Sequence, residues 1–249
     1  MLNAMIFAAG LGTRLKPYTN TKPKALVELA GKPLLERAIL KLIDLGVDRI
    51  VINVHHFADL IEEFLEEKNY FGADIRISDE REELLDTGGG LKKAKDLFIP
   101  DAPVLIYNVD ILSSINLADL IKEHQSAKAL VSMVMRKRES SRYLYFNSDR
   151  QLTGWKNCKT EEVKQARADM NESEPLAFSG IHLIDSKIFD LIEEEGKFSI
   201  IDLYLRLAKT EKMLAYKDQS DLWFDLGKPE QLKKAETLIT NYDPDNDQE

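Results

Sequence analysis

Ala4-Met5-Ile6-Phe7-Ala8-Ala9-Gly10-Leu11-Gly12-Thr13-Arg14-Leu15-Lys16-Pro17 stands almost at the N-terminus. Its first six residues are apolar and run into Gly10, the pattern of a short strand buried on both faces. Glycine lets the backbone turn tightly and approach a ligand. Successive N–H groups in such a turn can cradle phosphate. Two familiar phosphate loops do not fit. A dinucleotide fingerprint needs a third glycine where Leu15 stands, and an acidic residue after the second strand, where the sequence reads Val54-His55-His56. A P-loop needs Gly-Lys-Ser/Thr, which is absent. What remains is a Gly-x-Gly loop followed by Arg14, Lys16, Lys22 and Lys24, the last two flanking Pro23. Four cations beside a strand end suit a triphosphate.

Outward from this loop, strands and helices alternate. Leu34, Ala38 and Leu42, with Leu35, Ile39 and Ile43, mark one face of a helix stopped by Gly46. Arg49–Val54 is a β-branched strand, Ala58–Lys68 a second amphipathic helix and Ile75–Ile77 a short strand. Leu91–Leu97 reads as helix, Val104–Tyr107 as strand, Leu117–Gln125 as helix and Ala129–Met135 as strand. This order predicts an α/β fold with a mainly parallel sheet covered by helices. From Tyr143 to Ile184 short alternating strands surround a polar stretch, Lys159–Glu174, which reads as an inserted antiparallel flap. Helices are expected near Ile188–Glu194 and Ile201–Lys209, a strand at Met213–Tyr216, a strand end at Trp223–Asp225 and a helix from Pro229 to about Ile239. One domain, residues 1–240, is expected, followed by a disordered tail over 241–249.

The 249 residues carry 34 basic and 43 acidic side chains, a formal charge of −9, which disfavours a nucleic-acid partner. The single cysteine, Cys158, excludes an intrachain disulfide framework. No apolar run reaches the ~20 residues of a membrane span. The run at Ala4–Ala9 lacks a basic segment before it and reads as a strand, not a signal peptide. A cytoplasmic protein with no membrane partner is expected. His55-His56 lack an acidic or cysteine partner at ligand spacing and read as structural, as the runs Glu62-Glu63, Glu66-Glu67 and Glu193-Glu194-Glu195 read as solvated helix faces.

Three further segments carry chemistry. Leu84-Leu85-Asp86-Thr87-Gly88-Gly89-Gly90-Leu91 precedes the expected third helix and could admit a flat base against bare backbone. Asn108-Val109-Asp110 follows a buried strand, so Asp110 projects from the C-terminal edge of the sheet, where ligands gather in open α/β folds. Trp223-Phe224-Asp225-Leu226-Gly227 places a second carboxylate at a strand end.

Together, Phe7-Ala8-Ala9-Gly10-Leu11-Gly12-Thr13-Arg14-Leu15-Lys16-Pro17, Thr19 and Pro23-Lys24-Ala25-Leu26 resemble the signature of sugar-1-phosphate nucleotidylyltransferases. Lys16 stands where that family usually has arginine, and Ala25 where it has proline. The glycine cluster is similar to Glu-Thr-Gly-Gly-Gly in the branch containing N-acetylmuramate-1-phosphate uridylyltransferases, with Asp86 replacing the glutamate. The resemblance implies a three-layer Rossmann-like nucleotidyltransferase fold with a mixed, mainly parallel sheet and a small antiparallel flap. Residues 1–135 would form the nucleotide-binding half and residues 136–240 the sugar-phosphate half. It implies nucleotide binding by Ala8, Ala9, Gly10, Gly12, Thr13, Asp86, Gly88 and Asn108, and catalysis by Arg14 and Lys24. Asp110 and Asp225 would hold Mg²⁺. Lys156, Asn157 and Gly180, in segments similar to sugar-phosphate-facing ones, would take the second substrate. The implied reaction joins an NTP and a sugar 1-phosphate into an NDP-sugar, in a monomer or homodimer. UTP with an N-acetylmuramate-type sugar is favoured. GTP with a mannose- or heptose-type sugar, CTP with choline phosphate, or a non-catalytic nucleotide-sugar sensor are the alternatives. Arg136, Lys137, Arg138 and Arg142 could supply a cation for the lactyl carboxylate of N-acetylmuramate, against a blander reading as a solvated charge run.

Overall fold

The computed structural model describes residues 1–242. β1 (Asn3–Phe7) is followed by the glycine loop and a small β2 (Glu28–Leu29)–β3 (Lys32–Pro33) hairpin. Then come α1 (Leu34–Asp44), β4 (Arg49–Val54), α2 (Ala58–Glu67), β5 (Ile75–Asp79) and α3 (Asp86–Lys93). They are followed by β6 (Val104–Asn108), β7 (Ile111–Ser113), α4 (Leu117–Ala127) and β8 (Val131–Arg136). β9 (Arg142–Phe146), β10 (Leu152–Asn157), β11 (Val163–Gln165) and β12 (Glu174–Ile184) form the antiparallel part. α5 (Ile200–Leu207), β13 (Met213–Lys217), β14 (Trp223–Asp225) and α6 (Pro229–Tyr242) complete the chain. The helix expected to stop near Ile239 thus runs on through Tyr242. Of the tail expected over 241–249, residues 243–249 lie outside the described residues.

The ten-stranded sheet follows the order β11-β10-β9-β12-β6-β1-β4-β5, with β8 also paired to β12 and β13 paired to β8. β6, β1, β4 and β5 are mutually parallel, so their C-terminal ends share one edge. β12 is the element that makes the sheet mixed. Its last residues run antiparallel to β6 and β8, and its first three, Glu174–Leu176, pair with β9. The flap is therefore an extension of the central sheet.

Alternate residues of the parallel strands feed two cores, as the period of two requires. Ala4, Ile6, Ile50, Ile52, Leu105 and Tyr107 pack with α1, α2, α4 and α6. Met5, Val51 and Ile106 pack with α3 and α5 on the other face. The three layers follow from this division.

Three local expectations are corrected. Ala8 and Ala9 lie beyond β1, because Asn53 Oδ1 accepts from both their N–H groups (2.8 and 3.4 Å) and turns the chain out of the sheet. The helix expected at Leu91–Leu97 begins at Asp86, so Gly88, Gly89 and Gly90 lie inside α3, and Lys95–Leu97 is a separate 3-10 turn. The helix expected at Ile188–Glu194 is only a 3-10 turn, Ser186–Asp190, capped by the Asp185 side chain.

Candidate active site

The C-terminal edge of β1, β4, β5 and β6 forms one wall of a cavity of about 460 Å³. One end of it is built from four charged side chains. Lys24, at the start of a 3-10 turn after Pro23, donates from Nζ to Asp110 Oδ2 at 2.8 Å. Asp110 sits just past β6 and is buried. Asp225 reaches the same place from far along the chain, because β14 pairs with β7 and sets Asp225 opposite Ile111. Gly227 marks where the groups meet. A Cβ there would lie 2.8 Å from Asp225 Oδ1, 2.9 Å from Arg14 Nη2 and 3.1 Å from Asp110 Oδ2. Any side chain at residue 227 would fill the space the charged groups share.

The loop that carries Arg14 is held from both ends. Asn53 binds Ala8 and Ala9 at its start. Gly12 has φ +64°, and its carbonyl accepts from Thr19 Oγ1 at 2.9 Å, while a Cβ at residue 12 would strike Thr19 Cγ2 at 2.9 Å. Thr13–Leu15 then makes one 3-10 turn that buries Leu15.

Further along the cavity stands Glu80, fully buried just past β5. Its oxygens accept from Asn53 Nδ2 (2.7 Å) and from the Leu85 N–H (3.2 Å), with no cation paired to it among the described residues. Asp86 and Thr87, at the first turn of α3, line the same part. The opposite chemistry comes from β12 and β14: Gly180 at φ +78° packs where a Cβ would meet Asn108 Nδ2 and Ile111, and Trp223 Nε1 donates to the Ser179 carbonyl at 3.1 Å.

Of the residues expected from the sequence, Ala9, Gly10, Arg14, Lys24, Asp86, Asn108, Asp110, Gly180 and Asp225 line this one cavity. Ala8, Gly12 and Thr13 shape the loop behind it, outside the lining. Gly88 is also outside it: its N–H donates to the Phe198 carbonyl at 2.9 Å, and its missing Cβ makes room for the Phe198 ring. Lys156 and Asn157, at the end of β10, are not brought to the lining either. Lys156 Nζ pairs with Glu161 at 3.0 Å, which raises its pKa, and Asn157 Oδ1 accepts from the Lys159 N–H. Asn53, Glu80 and Lys197 line the cavity and were not anticipated. Asn53 had a signal, being the one polar residue inside the apolar run Ile50–Val54. So had Glu80, which stands at a parallel strand's C-terminal end.

The donor set can be tested against a divalent cation. Among the described residues no three His, Cys, Asp or Glu side chains gather at one point. Two carboxylate oxygens border the cradle that Gly227 leaves open, which Arg14 Nη2 borders as well. Two hard oxygen donors, with phosphate and water to complete the shell, fit Mg²⁺, which seldom takes an all-protein cage.

The sequence matches the nucleotidyl transferase family over residues 3–242. The N-acetylmuramate alpha-1-phosphate uridylyltransferase of Caulobacter vibrioides is 34% identical over 95% of this chain and 96% of its own length. The mannose-1-phosphate guanyltransferase of Gibberella zeae is 29% identical, and this chain spans 64% of it. Among solved structures, HddC from Yersinia pseudotuberculosis superposes with a TM-score of 0.75 at 25% identity, over 96% of this chain and all of that one.

Proposed function

Because this chain belongs to the nucleotidyl transferase family, we propose that it joins UTP to an N-acetylmuramate-type sugar 1-phosphate, releasing pyrophosphate. The observation that carries the reading is the meeting of Arg14, Asp110 and Asp225 at Gly227, with Lys24 held on Asp110. An oxygen of the sugar phosphate attacks the α-phosphorus in line. The new P–O bond forms as the bond to the β-phosphate oxygen breaks, and pyrophosphate leaves with that electron pair. A phosphate monoester has its second pKa near ~6, so at neutral pH the nucleophile is largely dianionic and needs no general base. The obstacle is repulsion between two anions. Arg14 and Lys24 oppose it at the triphosphate, and positioning plus charge stabilisation supply the catalysis. Asp110 and Asp225 would hold Mg²⁺, which supplies further positive charge at the phosphates and a template for their oxygens.

Glu80 bears on the base. A buried carboxylate facing a base edge wants a donor. Uracil offers its N3–H, guanine its N1–H and 2-amino group, and cytosine its 4-amino group, so Glu80 by itself does not separate these bases. The retained cation and carboxylate set disfavours a non-catalytic sensor. The relatives favour uracil over guanine: the uridylyltransferase matches along nearly its whole length, and the guanyltransferase along less than two thirds. GTP with a mannose-type sugar stays as the second reading, since guanine's N1–H and 2-amino group could both donate to Glu80.

A pyrophosphate-release screen of four NTPs against a panel of sugar 1-phosphates, with Mg²⁺, tests this. UTP with N-acetylmuramate 1-phosphate is expected to be the fastest pair. A faster reaction with GTP and mannose 1-phosphate would promote the second reading.

A further inference from the structure

Four basic residues follow one another on and after β8, and the structure separates them. Arg136 donates to Asp218 at 2.6 Å and Lys137 pairs with Glu174 at 2.7 Å, while Arg142 is exposed at the start of β9. Arg138 alone of the four lines the cavity. Its guanidinium lies over the Trp223 ring, 4.3 Å from the centroid, and that ring is itself anchored on the Ser179 carbonyl. Nη2 donates to the Phe178 carbonyl at 2.8 Å and Nη1 to the Glu139 carbonyl at 3.1 Å. Nε is buried without a partner. Among the described residues no carboxylate lies within ion-pair distance of it. The charge is thus placed, oriented and half-buried, yet held only by neutral groups.

Burying a guanidinium without a counter-ion is costly, and two carbonyls repay only part of it. Burial indeed pulls the Arg138 pKa down, while the charge of Asp225 acts the other way. Asp225 is already engaged, its Oδ1 accepting from the Gly227 N–H at 2.9 Å and sharing the Gly227 cradle with Asp110. An oxyanion in the cavity would complete the site. The triphosphate has its own cations in Arg14 and Lys24. Hydroxyl and acetamido groups of a sugar are neutral and would leave the guanidinium uncompensated. A planar fork resting on an aromatic face suits a carboxylate, which it can bind through two parallel N–H donors.

We propose that Arg138 binds a carboxylate carried by the sugar, and so selects acidic sugar 1-phosphates over their neutral counterparts. The inference rests on the function proposed above and deepens it.

N-acetylmuramate 1-phosphate and N-acetylglucosamine 1-phosphate differ only in the lactyl ether, so the ratio of their kcat/KM values reads the carboxylate contact. In Arg138→Met this ratio is expected to fall at least ~10-fold, on the scale of one charge-assisted hydrogen bond, chiefly through KM for the acidic sugar. Arg138→Lys is expected to keep an intermediate ratio. Equal losses for both sugars would overturn the proposal, because Arg138 would then hold the phosphate common to both. No change in the ratio with full activity on both would overturn it as well. A second arm needs no variant: wild-type enzyme is given N-acetylmuramate 1-phosphate with the lactyl carboxylate converted to a primary amide. A loss of at least ~10-fold is expected. If acid and amide react equally well, the Arg138 inference fails alone. If neither accepts a uridylyl group while another NTP and sugar react, the proposed function fails with it.

Discussion

Lys24 and Asp110 form a contact of opposite charges inside the cavity, with side chains only 16% and 8% exposed. Lys24→Ala removes a cation from the charged end of the cavity and, on the proposed function, is expected to lower turnover at least ~100-fold, the scale of losing one transition-state donor. Steady-state kinetics on folded variant would check it, and near-wild-type turnover would count against the assignment. Asp110→Asn and Asp225→Asn each remove one anionic oxygen from the Gly227 cradle. Both are expected to abolish Mg²⁺-dependent activity without loss of fold, read by circular dichroism beside a magnesium titration. Away from the cavity, His182 lies buried in the second core, stacked on Phe178 with both ring nitrogens unpartnered. Burial pushes its pKa down from 6.5 to about 3. The unfolded chain takes up this proton as pH falls through 6.5, and the folded chain does not until about 3. Stability present above pH 6.5 is therefore lost as pH falls, at about 1.4 kcal/mol per pH unit at most. His182→Phe keeps an aromatic stack and removes the titration. Urea midpoints between pH 7 and 5 are expected to fall less steeply in the variant, and equal slopes would refute this origin.

At the scale of elements, α3 carries three glycines in a helix where alanine would ordinarily be favoured by ~1 kcal/mol each. The packing reverses that preference. A Cβ at Gly89 would lie 2.3 Å from the Gly196 carbonyl oxygen, and one at Gly88 2.3 Å from the Phe198 ring. The close approach joins α3 to the segment before α5, and the Phe198 carbonyl accepts from both glycine N–H groups. Gly89→Ala is expected to destabilise by about 1–3 kcal/mol, as overpacking does. A urea or thermal midpoint at or above wild type would show that the segment gives way freely. The glycine cluster was legible as a place of close approach, but the approaching body is Phe198, brought there from over a hundred residues away.

At the scale of the molecule, β12 decides cooperativity. It pairs with β6, β8 and β9, and so stitches the parallel sheet to the antiparallel extension. Neither half can unfold without stripping β12 of a neighbour. One calorimetric transition is expected for the whole chain, with calorimetric and van't Hoff enthalpies equal. Two separated transitions would instead mark residues 1–135 and 136–240 as independent units.

The alternation of apolar runs and amphipathic helices determined the α/β class, because periods of two and 3.6 are local properties that burial on a sheet face or helix stripe imposes directly. The glycine loop and Asp110 were legible for a similar reason: in a parallel sheet, residues just past a strand share one edge wherever they stand in the chain. Other matters could be decided only by tertiary packing. The sequence does not say that Asp225 lies beside Asp110, since that depends on β14 pairing with β7 across more than a hundred residues. Nor does it say that Asn53 and Glu80 face the cavity, that Lys156 turns to Glu161, or that of four consecutive-looking cations Arg138 alone is aimed inward. Each of these is a choice among partners that a charged or polar side chain could reach equally well in an unfolded chain. Such choices are made by which surfaces the folded sheet brings within 3 Å, and by the cost of leaving a buried polar group without a partner.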